Sequence, residues 1–203
     1  MLDRVLLATA NPKKAQEIIR LLSSSGIEVI LPDRSLQVEE GGCSFLENAY
    51  LKARAYWERY GIPTLADDSG LVVPSLEGYP GVFSSRFYQI EWGGREEVTE
   101  TEDEANIRKL LRLMEGKEDR RAYFVAYVVL YAGDWGVWTE GRCWGSITTE
   151  RRGNRGFGYD PVFVPEGDHR TMAELSPEEK DSVSHRGKAL RKLLHILKYF
   201  TYG

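Results

Sequence analysis

Two apolar runs in the middle of the chain, Arg121 to Ala132 and Gly136 to Ile147, are separated only by a short turn around Gly133 and Asp134. Strands that close in sequence pair as an antiparallel hairpin, because a parallel partner needs a crossover of a dozen or more residues. Elsewhere strand and helix patterns alternate. Arg4 to Thr9 is a short β-branched and leucine-rich run, Pro12 to Ser23 carries apolar residues at helical spacing, and Glu28 to Leu31 returns to a strand pattern. The hairpin set into that alternation predicts an α/β fold with a mixed β-sheet and flanking helices.

Helix starts are marked by capping chemistry. Ser44 with Glu47 forms a capping-box pattern that opens a helix to about Tyr60, and Thr101 with Glu104 opens another through Met114. Ser176, Pro177 and Glu179 start a short helix, and a last one spans about Ser184 to Tyr199. Pro63 to Ala66 reads as a strand that ends in two aspartates, and Pro161 to Val164 as one more short strand. The acidic stretch Gly93 to Glu104, with five glutamates and Asp103, reads as a solvated loop leading into a helix.

At 203 residues, 42% of them hydrophobic, the chain can bury its own core and is expected to form one domain over residues 1–203. Lys and Arg number 27 against 31 Asp and Glu, a formal net charge of -4. That balance gives no reason to expect nucleic acid as a partner, so any phosphate binding must come from local geometry. Apolar stretches such as Ala122 to Ala132 are too short to cross a bilayer and no secretory pattern opens the chain, so no membrane contact and a cytoplasmic location are expected. Cys43 and Cys143 lack the spacing of a zinc site and read as buried or incidental thiols.

Several constellations can carry chemistry. Thr9, Ala10, Asn11, Pro12, Lys13 and Lys14 pass from a strand end into a helix N-terminus, where free N–H groups, the helix dipole and a lysine suit phosphate. Asp67 and Asp68, followed by Ser69 and Gly70, put two carboxylates side by side, and such neighbours repel unless water, a cation or a bend separates them. Magnesium is usually held by one or two carboxylates plus phosphate and water, and Glu39 or Glu40 offers a further oxygen. Lys52 shares a helical stripe with Phe45, Ala49 and Tyr56, which should face the protein body. Arg186 shares one with Leu190, Leu193 and Leu197, and His185 and Lys180 stand near it in sequence. In the glycine-punctuated loop Gly153 to Pro161, Phe157 can stack on a planar base and Asp160 can accept ring N–H groups. Taken singly, each has an ordinary alternative: a βα turn, a surface turn, a snorkelling lysine, a helix anchor, a wide hairpin loop.

In order along the chain these stretches resemble the inosine triphosphate pyrophosphatase family, also called Ham1-like. The resemblance lies at Thr9-Ala10-Asn11 with Lys14, Phe45-Leu46-Glu47-Asn48-Ala49 with Lys52, Ala66-Asp67-Asp68-Ser69-Gly70-Leu71, Pro80-Gly81, Gly156-Phe157-Gly158-Tyr159-Asp160-Pro161 and Ser184-His185-Arg186-Gly187. It implies two lobes around a nucleotide-binding cleft, usually a homodimer, and magnesium-dependent hydrolysis of ITP, dITP and XTP to monophosphate and pyrophosphate.

By that resemblance Thr9, Asn11, Lys14 and Lys52, with Ala10, Pro12 and Lys13 beside them, hold the triphosphate. Glu39 and Asp68, with Asp67, hold metal, and Asp68 is the proton acceptor, expected to be a weak base because the cation keeps it ionised. Phe157, Gly158, Tyr159, Asp160, Lys180, His185 and Arg186 line the nucleoside pocket, with Ser69 near the substrate, and Arg186 is expected to donate to the 6-oxo group of the base. Ala10 stands where the family usually has glycine, and Phe87 to Glu104 is longer than in most members. The competing readings are a house-cleaning triphosphatase for modified pyrimidine or methylated nucleotides and a nucleotide sensor without turnover.

Overall fold

The computed structural model describes residues 2–200. Its strands are β1 (Arg4–Ala8), β2 (Glu28–Ile30), β3 (Thr64–Val72), β4 (Arg121–Tyr131), β5 (Gly136–Ile147) and β6 (Phe163–Pro165), and its helices α1 (Pro12–Leu22), α2 (Phe45–Tyr60), α3 (Glu102–Met114), α4 (Pro177–Val183) and α5 (His185–Phe200). The six strands form one sheet in the order β2-β1-β3-β4-β5-β6. β1 pairs parallel with β2 and β3, and β5 pairs antiparallel with β6, so the sheet is mixed, as the sequence pattern predicts. Among the described residues no helix is long and apolar enough to cross a membrane.

The capping residues read from the sequence do cap. The Ser44, Thr101 and Ser176 side chains accept the N–H groups of Glu47, Glu104 and Glu179, and Asn11 caps α1 ahead of Pro12. Such caps stabilise a helix by about 1 kcal/mol each and fix where it begins.

The chain divides into two compact units. One consists of the segments up to Ser69, Ala126–Gly141 and from His185 onward; the other is Gly70–Val125 with Arg142–Ser184. In the first, strand alternation sends Val5, Leu7 and Leu65 into a cluster with Ile18 and Leu22 of α1 and Leu190 and Leu193 of α5. Leu6, Ala8 and Ala66 go the other way, onto Ala49, Ala53 and Tyr56 of α2. The second unit has one core, including Leu71, Phe87, Ile107, Leu110, Met114, Phe124 and Phe163. Each such buried side chain contributes about 1.5–3 kcal/mol.

The start of α5 is fixed by close backbone contact. A Cβ on Gly141 of β5 would lie 2.1 Å from the His185 carbonyl oxygen and 2.6 Å from the Ala189 nitrogen, so no larger residue fits without moving the helix. Thr139 Oγ1 donates to the Ala189 carbonyl at 2.8 Å.

Three local expectations change. β3 does not end in the two aspartates but runs on past them to Val72, their charges being met from both faces of the sheet. The strand expected at Pro161 to Val164 begins at Phe163, since Asp160–Val162 winds as a 3-10 turn with Pro161 in its first turn. The acidic stretch is not simply solvated: Glu96 pairs with Arg108 and Arg112, Glu102 accepts from the Tyr88 hydroxyl, and Glu104 holds Arg151.

Candidate active site

The period-two alternation of β3 resolves the repulsion between the adjacent aspartates. Leu65, Asp67 and Ser69 point to the α1 and α5 face, and Ala66 and Asp68 point to the α2 face. On the first face Arg186 Nε donates to Asp67 Oδ2 at 3.2 Å, Nη1 to Glu17 Oε2, and Nη2 to Ser69 Oγ at 2.9 Å. Lys14 Nζ stands 3.5 Å from Asp67 Oδ1. Burial alone would raise Asp67, yet Lys14, Arg186 and Lys52 together hold its carboxyl well below the usual range. Asp67 is therefore a fixed anion that locks a buried arginine.

Asp68 behaves in the opposite way. Burial is the largest influence on it and, with Glu40 and Asp67 nearby, outweighs Lys52 and Lys14 and pushes its pKa up to about 6. Its Oδ1 is 4.0 Å from Lys52 Nζ, and its buried Oδ2 has no hydrogen-bond partner. In the protein without a cation Asp68 thus has a proton affinity raised toward neutral pH, whereas the weak base expected from the sequence is the carboxylate with the cation bound.

Lys52 faces inward on α2 and reaches Glu40 Oε1 at 3.2 Å. Burial lowers its proton affinity, but Asp68, Asp67 and Glu40 more than compensate, so it stays charged. Lys14 feels burial first, then Arg186 and Lys52, and its pKa is lowered despite Asp67. The Glu39 side chain is exposed, whereas Glu40 is the member of that pair that joins Lys52. The loop carrying both is tied to α2, since Gly42 N–H donates to Asn48 Oδ1 at 3.0 Å and Cys43 N–H to Glu47 Oε2 at 2.9 Å.

The turn after β1 corrects one expectation. Its N–H groups are not free, because Asn11 N–H donates to Thr9 Oγ1 at 3.1 Å and Asn11 Oδ1 accepts from the Lys13 and Lys14 nitrogens at 3.0 and 3.2 Å. Ala10, Pro12 and Lys13 are exposed, so the charge this turn brings to the carboxylates is that of Lys14. His185 is buried at the first residue of α5.

In the second unit Phe157, Asp160 and Lys180 do come together. Lys180 Nζ donates to Asp160 Oδ2 at 2.7 Å and lies 4.8 Å from the Phe157 ring centroid, while Phe157 N–H donates to the same oxygen at 3.1 Å. Gly156 is required here, with φ 71° and a would-be Cβ only 2.1 Å from Asp160 Oδ2. Tyr159 is buried and its hydroxyl donates to the Ser84 carbonyl at 2.6 Å, so it packs the loop from beneath.

One participant was not expected from the sequence, and one was named only within a motif. Glu17, which closes the Arg186 network, carried only a weak signal, its i,i+3 spacing from Lys14 on the inner stripe of α1. Asn48 was legible only as part of a motif, although a polar residue between Phe45, Ala49 and Lys52 on an inward stripe is itself a signal.

Among the described residues no three or more His, Cys, Asp and Glu side chains form a cage for a metal ion. The unpartnered Asp68 oxygen, with Glu40 across Lys52, suits instead a hard cation that takes one or two carboxylates and completes its shell with water and phosphate. The mixed sheet and this carboxylate–lysine centre define an α/β protein equipped to handle a phosphorylated ligand.

The model of the Ham1 family matches residues 5–196, and the chain belongs to that family. It is 65% identical over 195 residues to the dITP/XTP pyrophosphatase of Aquifex aeolicus (strain VF5), covering 96% of each chain. Among solved structures it is similar to a HAM1 protein from Coxiella burnetii, with TM-score 0.81, 38% identity and coverage of 98% and 100%. It also resembles the nucleoside-triphosphatase / dITP/XTP pyrophosphatase of Mycobacterium abscessus, with TM-score 0.72, 42% identity and coverage of 96% and 99%.

Proposed function

We propose that this protein hydrolyses non-standard purine nucleoside triphosphates, dITP, XTP and ITP, to the monophosphate and pyrophosphate, using magnesium. The observation that carries the reading is Asp68: a buried carboxylate with one unbonded oxygen, a pKa pushed up to about 6, and Lys52 beside it. The identity to relatives named dITP/XTP pyrophosphatase supports the substrate class.

In this reading Asp68 accepts the proton of the water that attacks the α-phosphorus through its buried, unbonded oxygen, and the weak basicity of a metal-held carboxylate is offset by the greater acidity of that water beside the cation. Lys52 and Lys14 neutralise phosphate oxygens as negative charge shifts toward the leaving pyrophosphate, acting from positions already set by their carboxylate partners. Asp68 with the Glu39-Glu40 segment would hold the magnesium ion, which when bound supplies charge neutralisation and a more acidic water. Thr9 and Asn11 keep the turn that carries Lys14 in shape.

Phe157 stacks on the base, and Asp160, held by Lys180, accepts its N–H groups. His185 and Ser69 are further substrate contacts by family resemblance, and Arg186, the family's donor to the 6-oxo group, would have to exchange part of its buried network with Asp67, Glu17 and Ser69 to reach a base. A homodimer and a cytoplasmic location belong to the same reading.

The test is pyrophosphate release across a panel of dITP, XTP, ITP, ATP, GTP and modified pyrimidine triphosphates with magnesium. The expected result is turnover concentrated on the first three. Turnover confined to pyrimidine substrates, or nucleotide binding without release, would overturn the reading.

A further inference from the structure

The acidic stretch ends in the first turn of α3, and the side chains of that helix hold neighbours in its own unit. Asp103 Oδ2 accepts the Gly158 N–H at 2.8 Å. One turn on, Asn106 accepts from Tyr88 N–H at 2.7 Å and donates to the Ser85 carbonyl at 3.1 Å. A turn further, Lys109 Nζ donates to the Phe87 and Ile90 carbonyls, both at 2.8 Å. These three residues at spacing i, i+3, i+6 occupy neighbouring positions along α3.

Asp103 holds the glycine-rich loop itself, while Asn106 and Lys109 hold residues 85–90, the segment that follows the loop's contact at Ser84. Gly158 is held directly by Asp103, and Tyr159 is held through its hydroxyl to Ser84, which precedes the segment that Asn106 and Lys109 anchor. On either side of these two residues stand Phe157 and Asp160, joined to each other and to Lys180. The Phe157 ring is met by Lys180 on one face, and the backbone at 157 and 158 sets the base of its side chain, so a shift of that backbone turns the ring.

We propose that Asp103 is a positioning residue for base recognition: by holding the Gly158 N–H it sets the plane in which the Phe157 ring meets a purine. The proposal rests on the reading of Phe157, Asp160 and Lys180 as the base-binding group. Asp103 touches neither phosphate nor the reacting atoms in this assignment, so it governs KM for the nucleotide and leaves the chemical step alone. It stands at the surface, where water competes for the same donor, so the effect is severalfold.

The test compares Asp103→Ala with Asp103→Asn, which keeps a carbonyl oxygen for Gly158. Asp103→Ala is expected to raise KM for dITP by about fivefold with kcat within about twofold, the loss of one partly exposed charge-assisted hydrogen bond. Asp103→Asn should restore KM to near the parent. Inhibition by inorganic tripolyphosphate, which has no base, should be the same in all three, and amide hydrogen exchange at 157–159, measured without nucleotide, should quicken in the alanine variant alone.

Faster exchange with an unchanged KM for dITP overturns the proposal, as does a matching loss of tripolyphosphate inhibition, which marks general damage. If the alanine variant does not fold, Asp103→Glu carries the same comparison, because one extra methylene displaces the acceptor while keeping the charge. A parent that releases no pyrophosphate from dITP sinks the proposed function instead, and the exchange measurement then still decides whether Asp103 holds the loop.

Discussion

Replacing Asp68 by asparagine should make the metal-free protein more stable while removing most of its turnover. The reason is the burial that raises the Asp68 pKa to about 6 from an ordinary 3.8. A folded-state pKa above the unfolded one means that the native state binds the extra proton between those values, so stability falls as pH rises from about 4 to 6 and stays low above it. At about 1.4 kcal/mol per tenfold change in proton affinity, the charged carboxylate costs the fold about 3 kcal/mol at pH 7.5.

Asparagine keeps the shape without the charge, so in EDTA at pH 7.5 its melting temperature should exceed the parent's by several degrees, taking about 2–4 °C per kcal/mol for a chain of this size. The advantage should shrink toward zero as pH is lowered to 4, where the parent's own carboxyl is protonated. Adding magnesium should raise the parent's melting temperature and not the variant's, since only the parent binds the ion well. Thermal melts at several pH values with and without magnesium check all of this, alongside pyrophosphate release, expected to drop by about 100-fold or more. A variant that melts below the parent at pH 7.5, or a difference that does not narrow on acidification, refutes the reasoning.

Other outcomes follow from the same contacts. Lys52→Ala should raise KM for dITP about tenfold while leaving inhibition by the nucleoside unchanged, and equal losses for both would indicate structural damage. Arg186→Ala strands buried Asp67 and Glu17 and should cost about 3–5 kcal/mol, so a melt within 2 °C of the parent would contradict the network. If enough of that variant folds for kinetics, a lowered ITP to ATP ratio of kcat/KM supports base reading by Arg186, and an unchanged ratio refutes it. Glu39→Gln and Glu40→Gln, titrated with magnesium, separate the family expectation from the geometry: Glu40→Gln should weaken apparent magnesium affinity more, and the reverse order returns the role to Glu39.

Much of the frame was legible because it rests on short-range chemistry. Ser44, Thr101 and Ser176 each needed only an acceptor oxygen three residues before a glutamate to mark a helix start, and the close pairing of Arg121 to Ala132 with Gly136 to Ile147 was enough for a hairpin. Lys52 was legible because helical spacing aims it inward. The extent of β3 was not, since aspartates and glycine disfavour strands unless distant partners meet them, and neither was the role of the acidic stretch, whose partners Arg151 and Gly158 lie far along the chain.

The mixed α/β frame, the helix caps and the motifs that mark the family follow from the order of residues along the chain. Packing is what sets two adjacent aspartates apart, Asp67 an anion bound by Lys14 and Arg186, and Asp68 a buried carboxylate with an open oxygen. Nothing local distinguishes them. Their proton affinities depend on desolvation and on charges brought from elsewhere, Arg186 from 119 residues away, and those are properties of a packed surface that a residue's neighbours in sequence cannot supply.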